Sequence, residues 1–80
     1  MKLIIRISLK KSILDPQGEA ISNSLKSFGF RNLNSVRQGK IIELDLNETN
    51  PESGIRTAKE MCEKLLVNSV IEDFSIEIEK

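Results

Sequence analysis

The chain has two prolines, Pro16 and Pro51, and each directly follows a residue suited to starting a helix, Asp15 in one case and Asn50 in the other. A short polar side chain at that position accepts backbone N–H groups left open in the first turn, and proline lacks the N–H that would be wasted there. The two starts divide the 80 residues into halves with one plan: strand, Pro-capped helix, strand. The halves differ too much in sequence to be a repeat. A chain this short implies one domain, 1–80, with a marginal core that oligomerisation or a partner commonly completes.

Lys2 to Lys10 alternates, with Leu3, Ile5, Ile7 and Leu9 on one side and Lys2, Ile4, Arg6, Ser8 and Lys10 on the other, as in a half-buried strand. After a connector, the first helix is expected from Asp15-Pro16 to about Phe28. Its stripe is Ala20, Ile21, Leu25 and Phe28, Gly29 is its left-handed stop, and Phe28 and Phe30 read as core anchors. Between Asn32 and Asn47, Leu33 and Val36 have opposite parity, which breaks a single alternating strand. A two-residue hairpin turn at Gln38-Gly39 resolves this, with Leu33 facing Leu44 and Val36 facing Ile41. The alternative is one long central strand bulged near Gly39.

In the second helix Ile55, Ala58, Cys62, Leu65 and Leu66 share one face, and Asn68 is the stop. A last strand from Val70 to Glu79 turns Val70, Phe74, Ile76 and Ile78 inward. The order is β-α-β-β-α-β: an α+β, ferredoxin-like two-layer fold with both helices on one face of an antiparallel sheet. With the bulged alternative the sheet has three strands.

The outer sheet face sets basic Lys2, Arg6 and Lys10 against acidic Glu43 and Asp45 on the third strand and Asp73, Glu77 and Glu79 on the last. Opposite charges favour neighbouring strands, which puts the first strand between those two. The same face is expected to carry Ile4, Val36, Ile41 and Ile71, and four apolar residues on an uncovered face suggest contact with another copy.

Function classes fall away quickly. Twelve basic residues balance twelve acidic ones, and with no Trp or Tyr there is little for bases to stack on, so no nucleic-acid partner is expected. Histidine is absent, the lone Cys62 suits a core position in a reducing compartment, and no glycine-rich phosphate loop follows a strand. No apolar run approaches a membrane span, so a cytoplasmic protein without a membrane partner is expected. No catalytic, cofactor-binding or metal-ligating set emerges.

Two polar groups stand out. Glycine in a first helical turn costs roughly 0.5–1 kcal/mol against alanine, so Gly18, beside Asp15 and Gln17, implies a close approach to the backbone. The second group is Arg37, Gln38, Gly39 and Lys40. The topology brings both to one end of the sheet, where they could form a partner-docking surface; helix capping and a solvated turn are the plain alternatives.

Leu14-Asp15-Pro16-Gln17-Gly18, Gly29-Phe30, Val36-Arg37-Gln38-Gly39-Lys40 with Ile42-Glu43-Leu44, Lys64-Leu65-Leu66 leading to Asn68, and Val70-Ile71-Glu72-Asp73-Phe74 together resemble the PurS family. These are small subunits of phosphoribosylformylglycinamidine synthase. Ser69 departs from the proline expected before the last strand. The resemblance implies a non-catalytic subunit, itself a homodimer or higher oligomer, bridging a large synthetase subunit and a glutamine amidotransferase subunit in purine biosynthesis. It also implies that ATP, Mg²⁺ and glutamine bind the partner subunits, with no cofactor in this chain. The other reading is a ferredoxin-like regulatory module binding a small ligand between protomers.

Overall fold

In the computed structural model, which describes residues 1–79, the elements run β1 (Lys2–Leu9), α1 (Pro16–Ser27), β2 (Gly39–Asp45), α2 (Pro51–Met61) and β3 (Glu72–Ile78). After α2 the helix widens into a π-helical turn over Cys62–Leu66, where the Val67 N–H donates to the Cys62 carbonyl at 3.0 Å. The described strands form one antiparallel sheet in the order β2-β1-β3. Leu3 lies opposite Leu44 and Ile78, and Ile5 opposite Ile42 and Ile76. The central place of β1 is the one its charges favour: Arg6 pairs with Glu77, and Lys10 with Asp73 at 3.0 Å.

Both helices begin as their prolines dictate. Asp15 and Asn50 are extended N-caps whose side chains accept first-turn N–H groups. Gly29, at φ 103°, is the one residue with positive φ among those described. It ends α1 with Phe30 N–H donating to the Leu25 carbonyl and Gly29 N–H to the Lys26 carbonyl, a Schellman stop.

The core is Leu3, Ile5, Ile7, Ala58, Cys62 and Val67, flanked by half-buried Met1, Ile42, Leu44, Leu46, Leu66, Phe74, Ile76 and Ile78. Gly54 brings α2 close, since a Cβ there would overlap the Met1 sulfur. Cys62 is fully buried, and burial, with the Glu63 charge adding to it, pushes its thiol pKa up. Ile55 and Leu65, expected on the buried face, are 40% and 83% exposed, and the π-helical turn accounts for the second by rotating Leu65 off the α-helical stripe.

The α+β layering is as expected, but three of its details differ. Between α1 and β2 there is no strand, and no hairpin forms at Gln38-Gly39, so the described sheet has three strands as in the alternative reading, though residues 32–38 are irregular and β2 begins directly at Gly39, unbulged, opposite Ser8. One backbone group of this segment, the Gln38 N–H, goes instead to the Asp15 side chain in the connector before α1, as the next subsection describes. The expected α1 stripe is not buried: Ala20 is exposed, Ile21 is 40% exposed and Phe28 80%, with Phe30 at 57%, so neither phenylalanine anchors the core. The buried face of α1 is instead Gly18 and Ser22. Val70, expected inward, is 79% exposed because β3 starts two residues later.

Candidate functional site

The two polar groups singled out in the sequence meet around Asp15. The residue is 5% exposed and its carboxylate is used twice: one oxygen accepts the Gly18 N–H at 3.0 Å as the helix cap, the other accepts the Gln38 N–H at 2.7 Å. These two N–H groups, the Gln38 one foremost, hold the carboxyl below its ordinary pKa; burial opposes them, and the Arg37 guanidinium adds to them. Gln38 Nε2 also donates to Gln17 Oε1 at 3.0 Å. Arg37 reaches back to three backbone carbonyls, Ile13 at 3.0 Å, Lys10 at 2.9 Å and Leu9 at 3.3 Å.

This is a latch. One carboxylate and one guanidinium tie residues 37–38 to the β1–α1 connector, and each satisfies backbone groups that no ladder serves. A guanidinium presents five donors in a fixed fork, which suits three carbonyls at the end of a strand. Gly18 is explained by the same knot: a Cβ there would overlap the Val36 carbonyl oxygen and stand 2.7 Å from Asp15 Oδ2. The close approach implied by the sequence is therefore made by the chain's own backbone. Gly39 has a similar reason, because a Cβ there would sit 2.6 Å from the Ile7 carbonyl oxygen.

Beside the latch lies a hollow of about 370 Å³ with a mixed polar and apolar lining, made by Asp15, Gln17, Gln38, Gly39, Lys40 and Glu72 together with Ile7, Ser8 and Leu9 at the end of β1. Lys40 faces Glu72 across β1 at 3.6 Å, and Glu72 also accepts the Asn68 N–H at 2.8 Å. All six docking candidates are thus brought to one end of the sheet. Asp15 and Gly18 are buried inside the chain, while Gln17, Arg37, Gly39 and Lys40 are exposed. Among the described residues no group of three or more His, Cys, Asp or Glu side chains could hold a metal ion.

The self-association candidates are dispersed. Ile4, half-buried, and Ile41, 61% exposed, share the outer face of the sheet. Val36 sits in the irregular segment beside α1, and Ile71 in the turn before β3, where its carbonyl accepts the Lys10 N–H at 2.8 Å. Their expected placement on outer strand positions fails with the hairpin and with the later start of β3. The largest exposed apolar side chains lie elsewhere: Leu14 and Phe28 on or beside α1, and Leu65 and Val70 after α2. Helical periodicity marked Phe28 and Leu65 as apolar-face residues; only the fold reveals that they stay exposed among the described residues.

The family model described as "PurS: Phosphoribosylformylglycinamidine (FGAM) synthase" matches residues 2–80. The chain is similar to the phosphoribosylformylglycinamidine synthase subunit PurS of Bacillus subtilis, 43% identical over 79 residues that cover 99% of this chain and 93% of that protein. Its fold is similar to the crystal structure of Methanocaldococcus jannaschii PurS, with a TM-score of 0.90, 40% identity, and coverage of 99% of this chain and 95% of that one. It is also similar to a chain in the structure of PurLQS from Thermotoga maritima, with a TM-score of 0.87, 32% identity, and coverage of 95% and 93%. A match over residues 2–80, with relatives at these identities spanning nearly the whole of both chains, means that the chain belongs to the PurS family.

Proposed function

We propose that this chain is the small, non-catalytic subunit of a phosphoribosylformylglycinamidine synthase in purine biosynthesis. In this reading it joins a large synthetase subunit to a glutamine amidotransferase subunit, so that ammonia from glutamine converts formylglycinamide ribonucleotide, with ATP, to formylglycinamidine ribonucleotide. The observation that carries the reading is family membership over residues 2–80, together with the likeness to a chain of the T. maritima PurLQS structure. ATP, Mg²⁺ and glutamine bind the partner subunits, and the chain works in the cytoplasm as a homodimer or higher oligomer. No helix among the described residues is long and apolar enough to cross a membrane, which agrees with that location. The exposed Gln17, Gly39 and Lys40 dock a partner subunit together with the outer surface of Arg37, whose guanidinium and the Asp15 carboxylate form the latch that serves as their rigid base.

Reconstitution tests this. Synthetase and amidotransferase subunits are mixed with and without this chain, and glutamine-dependent product formation is measured. The expected result is loss of that activity on omission while ammonia-dependent activity of the synthetase subunit persists. Unchanged glutamine-dependent activity on omission overturns the proposal.

A further inference from the structure

β3 lies at an edge of the sheet, and its hydrogen bonds tell which of its residues face the open side. Lys10 N–H donates to the Ile71 carbonyl at 2.8 Å, and Glu79 N–H to the Lys2 carbonyl at 2.9 Å. Antiparallel partners exchange bonds at every second residue. In the register that sets Leu3 opposite Ile78, the odd-numbered residues from 71 to 79 therefore spend their backbone groups on β1. The N–H and C=O groups of Phe74, Ile76 and Ile78 point away from the sheet, and no hydrogen bond among the described residues reaches them. The Glu72 N–H, on the same side, is taken by the Asn68 carbonyl at 2.8 Å.

Proteins commonly blunt such an edge with proline, lysine, a bulge or a very short strand. β3 has none of these: Glu72–Ile78 runs seven residues in unbroken one-to-one register with β1, without Pro, Gly or Lys. Its guard is negative charge. Asp73, Ser75, Glu77 and Glu79 are exposed on the outer face, and all but Ser75 are acidic. That charge decides which occupant the edge suits. Two β3 strands side by side would set these acids against their own copies, and like charges opposite each other are destabilising. A strand bringing Lys or Arg instead meets Asp73 and Glu77, held from the β1 side by Lys10 and Arg6, and Glu79, which has no ion pair among the described residues. A carboxylate has lone pairs for a second donor.

The inner side of this edge is apolar. Phe74, Ile76 and Ile78 are half-buried there. Ile55 and Met61 stand three residues either side of fully buried Ala58, so they project about 60° from it to opposite flanks of α2. Met61 lines an apolar groove beside Leu44 of β2, which puts Ile55, 40% exposed, on the β3 flank. We infer that β3 takes up an extended segment of a partner subunit as a fourth strand. Its backbone bonds to Phe74, Ile76 and Ile78, its inward side chains are apolar and lie beneath Ile55, and its outward ones carry Lys or Arg against Asp73, Glu77 and Glu79. The inference rests on the subunit role proposed above and adds a second contact to the surface around Gln17 and Lys40.

Amide exchange tests it, because an added strand protects alternate residues. The chain is exchanged alone and with the synthetase or the amidotransferase subunit, then quenched and read residue by residue. Alone, the Phe74, Ile76 and Ile78 amides should exchange freely while those of Ser75 and Glu77, bonded to β1, are slow. With the partner subunit at roughly 100 times its Kd, the three free amides should slow about 100-fold. Ser75→Lys combined with Glu79→Lys, both exposed and outside any ion pair, should weaken binding of that subunit ~10-fold and leave the circular dichroism unchanged. A chain that binds neither subunit overturns the subunit role, and this inference with it. Binding that leaves the three amides fast, or a double-lysine variant that binds like wild type, overturns only the added strand. Slow exchange of the same three amides in the chain alone also overturns it, since a second copy would then hold the edge.

Discussion

The body formed by the sheet and α2 and the arm formed by α1 and residues 30–38 are held by opposite means. The body is a hydrophobic core: Leu3, Ile5, Cys62 and Ala58 have no exposed surface. The arm has almost no core of its own. Its buried groups are Asp15, Gly18 and Ser22, and it is fixed at its root by hydrogen bonds from Gln38, Gly18 and Arg37. Apolar burial is non-directional and scales with area, so it stabilises the body without specifying what the arm does. Hydrogen bonds add less stability but fix direction. The arm is thus aimed by its polar root, while its apolar surface stays free for another molecule.

The comparison breaks most visibly under large-to-small substitution. Ile5→Ala removes a fully buried side chain from the centre of β1 and should cost about 3 kcal/mol in urea unfolding. Phe28→Ala, a larger truncation on a ring 80% exposed, should leave the stability of the isolated protomer within about 0.5 kcal/mol. Comparable losses from the two would mean that the arm belongs to the core after all.

Gly18→Val sharpens the comparison at the hinge. The added side chain meets the Val36 carbonyl, a backbone atom that cannot rotate aside, so the arm must shift at an expense of about 2 kcal/mol. Native-state hydrogen exchange should show α1 and Gln38 amides opening ~30-fold more often, with the amides of β1 unchanged. Equal loss of protection in both regions would show that latch and core unfold as one unit.

How legible each region was follows from the same difference. Which residues of each strand face inward, and the central place of β1, could be read because alternation and cross-strand charge are local properties of each strand; the one register read, that of the hairpin, was not the one formed. The two N-caps and the Gly29 stop were legible for the same reason. The hairpin was a misreading because parity at Leu33 and Val36 says nothing about where backbone hydrogen bonds go. Arg37 finds carbonyls 24 to 28 residues away, and Asp15 takes the Gln38 N–H from 23 residues away. Gly18 signalled a close approach correctly, but its neighbour is Val36 of the same chain. Periodicity placed Phe28 on an apolar face without identifying what covers that face. The sequence brought the candidate surface together at one end of the sheet; it could not separate the residues used up in the latch from those left free.

The smallest effect concerns charge within the latch. Two backbone N–H groups stabilise the ionised form of Asp15 in the folded chain, so its folded pKa lies below the ordinary value of 3.8. A depressed carboxylate contributes stability that is fully present above the unfolded pKa and is lost as pH falls through the folded one. The arm root should therefore loosen only in acid, below pH 3.8, and hold its protection unchanged from there to neutrality. Asp15→Asn keeps a side-chain oxygen for the cap, and Asn caps helices about as well as Asp, so the helix start survives at neutral pH. With that oxygen on the cap, the variant has only its amide NH2, a donor, where Asp15 offers an acceptor to the Gln38 N–H, which puts its Gln38 exchange above wild type at neutral pH and removes the acid dependence. An acid dependence of Gln38 exchange that persisted in Asp15→Asn would show that Asp15 is not its source.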